Sequence, residues 1–299
     1  MQLQTLLKST RPSFLILTPV CVFLGLSTAI ASSAEVNTFH FLLILIAALA
    51  AHISVNTLNE YFDFSSGLDL ITQKTAFSGG SGALPENPEF VKSVLFVGLL
   101  SLAITIAVGI YLISIRGMQI LPLGILGVVI ILTYTQWLNR FPLLCLFAPG
   151  LGFGVLMVVG THVILTGEYT ALPWLVSLIP FFLLNNLLLL NQYPDINADS
   201  RVGRKTFPIV YGMHKSHWVY TLFALAAYSL IIIYSLTGVI PALGVAAVLP
   251  AAFAFYAASG AFKYSSRIGK RPRYLAANVA ASVLTPLLLG VIIILGHTT

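Results

Sequence analysis

Asn56-Thr-Leu-Asn59-Glu60-Tyr-Phe-Asp63-Phe-Ser-Ser-Gly67-Leu-Asp69 closes a long apolar run in a chain of which only 8% is charged. Asn56, Asn59, Glu60 and Asp63 stand at i, i+3, i+4 and i+7, a spacing that places all four on one face of a helix. Gly67 reads as a helix stop, with Asp69 just past it. A second polar stretch, Asn191-Gln-Tyr-Pro194-Asp195-Ile-Asn-Ala-Asp199, ends the apolar run 183–190. Its Asn191, Asp195 and Asp199 recur every four residues, again one helical face, and Pro194 predicts a kink in that helix.

The surrounding composition sets the class. The 299 residues are 58% hydrophobic with a mean hydropathy of +0.96. A soluble domain has about 45–50% apolar and about 25% charged residues. A soluble fold is therefore excluded in favour of an all-α polytopic membrane protein, read as one integral-membrane domain over 1–299. The spans expected are 13–31, 40–62, 92–114, 119–138, 143–165, 172–194, 217–237, 239–259 and 275–296, each near the ~20 residues that cross a bilayer core. Only Gly238 separates the seventh from the eighth, which predicts a tight hairpin. The first run, with Lys8 and Arg11 ahead of it and Ala29-Ile-Ala-Ser-Ser-Ala34 behind it, has the outline of a cleavable signal. Its length and the eight runs after it favour an uncleaved first span.

The net charge of +6 would point to nucleic acid in a soluble protein, but here it follows loop position, and no nucleic-acid partner is expected. With the amino terminus in the cytoplasm, every Lys and Arg except Arg116 falls on the inner side, as the positive-inside rule requires. The acids of both polar stretches fall there too, leaving Glu35 and Glu168 outside. The two stretches end spans two and six, four spans apart, which implies two related four-helix halves plus a ninth helix. Cys21 and Cys145 lie in apolar runs without metal-ligand spacing and read as small packing residues.

Five carboxylates at the cytosolic ends of two helices repel one another unless a cation lies between them. Hard oxygen ligands that share a site with a phosphate-bearing substrate suit Mg2+, and two such ions can bridge carboxylates to a diphosphate. Lys74, Arg201, Arg204 and Lys205 accompany the two stretches and are the candidate diphosphate contacts. The loop Phe77-Ser-Gly-Gly-Ser-Gly82 offers backbone amides to an anion or is simply a flexible linker. His52, one turn before Asn56, lines a pocket or packs between helices. Solvated interfacial acids are the plainer explanation for charges at span ends, but the shared face, the preceding Asn residues and the repetition argue against it.

These stretches resemble the UbiA superfamily of intramembrane aromatic prenyltransferases, which have nine transmembrane helices and Asp-rich motifs at the cytosolic ends of helices two and six. Within it, Asn59 to Asp69, Ser78-Gly-Gly-Ser-Gly82, Asn191 to Asp199, Arg201-Val-Gly-Arg-Lys-Thr206 and Arg11-Pro12 are similar to the dihydroxynaphthoate prenyltransferases of menaquinone synthesis. Two positions depart from that branch: Glu60 stands where Asp is common, and Pro194 where a basic residue is frequent. The resemblance implies that Asn59, Glu60, Asp63, Asp69, Asp195 and Asp199 hold Mg2+. It implies a polyprenyl diphosphate donor and an aromatic acceptor, with Asn59, Asp63, Asp195 and Asp199 as catalytic residues and Lys74, Arg201, Arg204 and Lys205 on the diphosphate. Tyr134 orients the acceptor or belongs to the interfacial belt, and Arg140 pairs with an acceptor carboxylate or anchors its helix. The expected location is a bacterial plasma membrane, with the active site facing the cytoplasm. Other acceptors (another quinone precursor, a porphyrin-type alcohol, a glycerol phosphate) and donor cyclisation remain open. So does a different class, an ion-coupled transporter, whose sites lie nearer the bilayer midplane than these acids.

Overall fold

The apolar runs form helices because a chain in lipid must satisfy its backbone polar groups internally. The computed structural model describes residues 1–298, and among these no strand occurs. A short amphipathic helix, α1 (Gln2–Ser9), precedes α2 (Leu17–Ala31) and the 28-residue α3 (Thr38–Ser65). Short helices α4 (Leu68–Ile71) and α5 (Ala83–Glu86) bracket the Ser/Gly loop. Then come α6 (Val91–Arg116), α7 (Leu121–Thr133), and α8 (Pro142–Pro149), which runs through a π-helical segment, Gly150–Met157, into α9 (Val158–Thr166). The chain continues through α10 (Ala171–Asn191), α11 (Ile196–Arg201), α12 (Phe207–Tyr211), α13 (Met213–Leu236), α14 (Ala251–Tyr264) and α15 (Pro272–Thr298).

Among the described residues, seven helical segments are long and apolar enough to cross a membrane, and α2 and the segment Met118–Thr133 are shorter apolar helices. Both lie within runs expected to span. Helix α2 starts late because 12–16 form turns behind Pro12, and α7 gives way to turns at 134–137. The eighth run also departs from expectation. After Gly238 (φ +74°), Pro241 and Pro250 flank a 3-10 turn, Ala242–Val248, and the regular helix begins only at Ala251. The tight turn expected at Gly238 forms, but a proline has no N–H for the helical ladder, so regular α-helix in this run begins only beyond Pro250.

Large side chains such as Phe96, Ile110 and Leu222 face outward, as lipid allows. The main core joins α2, α10, α13 and α15 through Leu24, Ile179, Ile231 and Leu289. Polar contacts tie α10, α13 and α15: Tyr220 Oη donates to Asn278 Oδ1 (2.8 Å), Asn278 Nδ2 to the Asn186 carbonyl (3.2 Å), and Asn186 Nδ2 to the Tyr220 carbonyl (2.8 Å). Such bonds between membrane helices contribute about 0.6 kcal/mol each. The π segment lies directly against α10. A Cβ on Gly150 or Gly154 would stand 2.3 or 2.5 Å from the Phe181 backbone, and the Gly150 amide donates to Asn185 Oδ1 at 2.6 Å. That close approach fixes α10, whose end carries the second polar stretch. Arg116 binds the carbonyls of Ile164 and Leu165 (2.5 and 2.7 Å), closing the carboxyl end of α9.

Candidate active site

Helix α3 runs unbroken through Asn56, Asn59, Glu60 and Asp63, so the first polar face forms as its spacing predicts. Gly67 adopts φ +78° and ends the helix, and α4 then buries Asp69. The second stretch is built differently. Helix α10 stops at Asn191, residues 192–195 form turns, and α11 starts at Ile196. Pro194 therefore lies in a break between helices, not in a kinked continuous one. Asp195 and Asp199 come from the start and middle of a new short segment.

The break lets the two stretches meet. Arg204 donates from Nη1 to Asp199 Oδ1 at 3.0 Å and from Nη2 to Asp63 Oδ1, bridging two carboxylates that come from α3 and α11. The Ser/Gly loop makes a second bridge. The Gly79 amide donates to Asp195 Oδ2 (3.0 Å), while the Ser81 amide (3.1 Å) and hydroxyl both donate to Glu60. Lys74 Nζ reaches back to the Ser81 carbonyl. Of its two possible roles, the flexible linker is not what is observed: the loop is folded and bonded to both acidic stretches. Gly80 (φ +72°) must be glycine for a local reason, since a Cβ there would stand 2.8 Å from Asp69 Oδ1.

Above these groups lies a cavity of about 640 Å³. Its polar end is lined by Asn59, Asp63, Lys74, Asp195, Asp199 and Arg204, together with Tyr134, Asn191 and Gln192. It then follows α3 back to Ile44, about 28 Å at 1.5 Å per residue, between apolar walls that include Leu112, Ile120 and Ile164. Glu60, Asp69, Arg201 and Lys205 are not on its lining; Arg201 and Lys205 face solvent. Arg140 lines a smaller cavity of about 360 Å³, which shares Asp63 and Arg204 with the first. His52 lines the large cavity, bonded through Nδ1 to Thr18 Oγ1 (2.8 Å). Cys145 lines it too and accepts from Gln192 Nε2 (3.4 Å); Cys21 is buried in the core.

The electrostatics mark an acidic site short of cations. Burial, then the charge of Asp199, pushes the Asp195 carboxyl up to about 7. Burial raises Asp199 to about 6 against the pull of Arg204, and burial with the charges of Glu60 and Asp63 raises Asp69 to about 8. Asp69 Oδ2 and Asp195 Oδ1 are buried without a hydrogen-bond partner, as are Asn191 Oδ1 and Gln192 Oε1. Among the described residues, no three carboxylate, His or Cys side chains already close around a common point. The donor set nonetheless fits a hard divalent cation: it consists of oxygen ligands, two of them bare, and a guanidinium already occupies the gap between Asp63 and Asp199.

Several residues of the site had no signal in the spacing. Arg11 enters from the turn before α2 and donates from Nη2 to Asn59 Oδ1 (2.9 Å) and Glu60 Oε2 (3.1 Å). Thr135 receives the Asn59 amide at 3.2 Å. Asn56, which the spacing did mark, donates from Nδ2 to the Thr10 carbonyl at 2.9 Å.

Residues 18–284 match the UbiA prenyltransferase family. The chain is 32% identical over 219 residues to the 1,4-dihydroxy-2-naphthoate octaprenyltransferase of Bacillus subtilis, covering 71% of this chain and 67% of that relative. It is similar to the apo structure of a UbiA homologue from Aeropyrum pernix K1, with a TM-score of 0.73 and 18% identity over 94% of this chain and 97% of the other. It is similar also to a UbiA homologue from Archaeoglobus fulgidus bound to GPP and Mg2+, with a TM-score of 0.67 and 16% identity over 97% and 99%. At these identities the two structures speak to the fold alone.

Proposed function

This chain belongs to the UbiA prenyltransferase family and is a prenyltransferase, and we propose that it transfers a polyprenyl group from its diphosphate to 1,4-dihydroxy-2-naphthoate, with Mg2+ as cofactor. The observation that carries this reading is the cavity: acidic and basic groups converge at one end, and an apolar channel about as long as a bilayer core is thick follows them. A diphosphate fits the first and an isoprenoid tail the second. The acceptor rests on the Bacillus relative, a 1,4-dihydroxy-2-naphthoate octaprenyltransferase.

In this reading Asn59, Asp63, Asp69, Asp195 and Asp199 hold the metal. Bound Mg2+ supplies positive charge that stabilises the departing diphosphate. Lys74 and Arg204 contact the diphosphate oxygens directly, and the solvent-facing Arg201 and Lys205 draw the anionic donor toward the mouth. The allylic C–O bond breaks, and its electron pair leaves with the diphosphate. The apolar walls keep water from the carbocation until the ring carbon that bears the acceptor's carboxylate attacks it. The new C–C bond forms, carbon dioxide departs, and the electrons of the broken C–COO bond restore the ring. Tyr134, on the lining beside the polar end, orients the acceptor. The two shorter apolar helices complete nine crossings, arranged as two four-helix halves and a ninth helix in one domain. The polar end then faces the cytoplasm of a bacterial plasma membrane.

The test is replacement of one acid from each stretch. Asp63→Ala and Asp195→Ala should each abolish turnover of prenyl diphosphate while the protein still elutes as a folded species in detergent. Near-normal rates in either variant would refute the metal assignment.

A further inference from the structure

Glu60 shares the acidic face of α3 with Asp63, and each is paired to a guanidinium, but Glu60 also takes two donors from Ser81. It is fully buried. Its Oε2 accepts from Arg11 Nη2 (3.1 Å) and the Ser81 amide (3.1 Å), and its Oε1 takes the Ser81 hydroxyl. Both oxygens are thus engaged, whereas Asp69 Oδ2 and Asp195 Oδ1 are bare. Glu60, like Asp69, is off the cavity lining, which its neighbour Asn59 forms, so what separates the two acids is that Glu60 has no bare oxygen.

We propose that Glu60 is not a metal ligand but forms, with Arg11, a positioning pair that sets the orientation of Asn59 and of the Ser/Gly loop. The same Arg11 Nη2 that meets Glu60 also holds Asn59 Oδ1 at 2.9 Å, while the Asn59 amide is held by Thr135. Arg11 reaches this place with φ +52°, a left-handed backbone uncommon for a residue with a side chain. On its other side Glu60 holds Ser81, and the Ser81 carbonyl holds Lys74. Arg11, Glu60, Ser81 and Lys74 therefore form one hydrogen-bonded chain from the amino-terminal segment to a candidate diphosphate contact. A carboxylate already satisfied by a guanidinium and two further donors gains little from a metal, and losing it would leave the half-buried Arg11 without its counter-ion.

The inference rests on the functional reading above, so its first readout does not depend on turnover. Mn2+ binding to the purified metal-free protein is titrated by electron paramagnetic resonance, with Mn2+ standing in for Mg2+. Glu60→Gln should keep the wild-type stoichiometry and an affinity within about twofold, while Asp63→Asn should lose affinity by more than tenfold. In the turnover assay, Glu60→Gln and Arg11→Lys should each raise KM for the prenyl diphosphate about tenfold. The double variant should be no worse than the poorer single one, because the two residues act as a unit. If Glu60→Gln does not fold, Glu60→Asp keeps the charge on a shorter arm and should show the same split, Mn2+ binding intact and KM raised. Loss of a bound Mn2+ in the Glu60 variant, unchanged KM in both single variants, or multiplying effects in the double variant would each overturn the proposal. A wild-type protein that binds Mn2+ but turns over no prenyl diphosphate would defeat the functional reading alone, and the titration would still decide Glu60.

Discussion

The backbone amide of Gly79 donates to Asp195 Oδ2 at 3.0 Å, joining residues 116 positions apart. Through this bond the loop that follows the first acidic stretch closes onto the second. Because Ser81, two residues on, is bonded to Glu60, the loop spans both stretches.

That closure makes Gly80 a sensitive position. Gly80→Ala meets two costs: the left-handed backbone, about 1–2 kcal/mol, and a Cβ 2.8 Å from Asp69 Oδ1. Gly67, with φ +78° and nothing within 4 Å of an added Cβ, carries only the first. Gly80→Ala should therefore lose at least tenfold in turnover and several degrees in thermal midpoint, and Gly67→Ala much less. Equal effects in the two variants would show that the contact with Asp69 does not matter.

Arg204 is the guanidinium between Asp63 and Asp199, and all three side chains are largely buried, at 17%, 8% and 5% exposure. Arg204→Ala leaves the two carboxylates facing each other, a loss on the order of 3 kcal/mol for a broken buried pair. The metal-free variant should unfold at clearly lower temperature than the wild type. Added Mg2+ should narrow the gap, and donor KM should rise. An unchanged midpoint and unchanged donor affinity would contradict the bridging role.

The first stretch was legible because helical spacing is local: four polar residues at i, i+3, i+4 and i+7 declare their face without reference to the rest of the chain. The second was only half legible. Its period of four continues through Pro194, but the helix does not, because the chain turns at 192–195 to bring Asp195 and Asp199 toward α3. What escaped reading were contacts set by tertiary folding. Arg11 meets Glu60 across 49 positions, and no pattern in either segment records it. The apolar runs identified the membrane class, yet the late start of α2 and the 3-10 stretch between Pro241 and Pro250 depend on backbone bonds that hydropathy does not weigh.

Acid titration gives a signed prediction. Burial, together with like charges around Asp69 and Asp195, raises the Asp199, Asp195 and Asp69 carboxyls to about 6, 7 and 8, against about 3.9 for an unfolded Asp. Between those values the folded state binds more protons than the unfolded chain, so stability falls as pH rises. The metal-free protein should be most stable toward pH 5 and lose thermal midpoint steadily toward pH 8. Mg2+, which binds the deprotonated carboxylates, should offset that loss increasingly as pH rises. A midpoint that increases with pH in the absence of metal would contradict the buried, cation-poor description of the site.

The most direct test of the central claim is a turnover measurement on wild-type protein in membranes with radiolabelled prenyl diphosphates, Mg2+ and a panel of aromatic acceptors beside an acceptor-free control. A metal-dependent labelled lipid should form with 1,4-dihydroxy-2-naphthoate, with release of its carboxylate as carbon dioxide, and should be absent from the control. A labelled lipid formed only with a different acceptor, or formed without any, would contradict that claim.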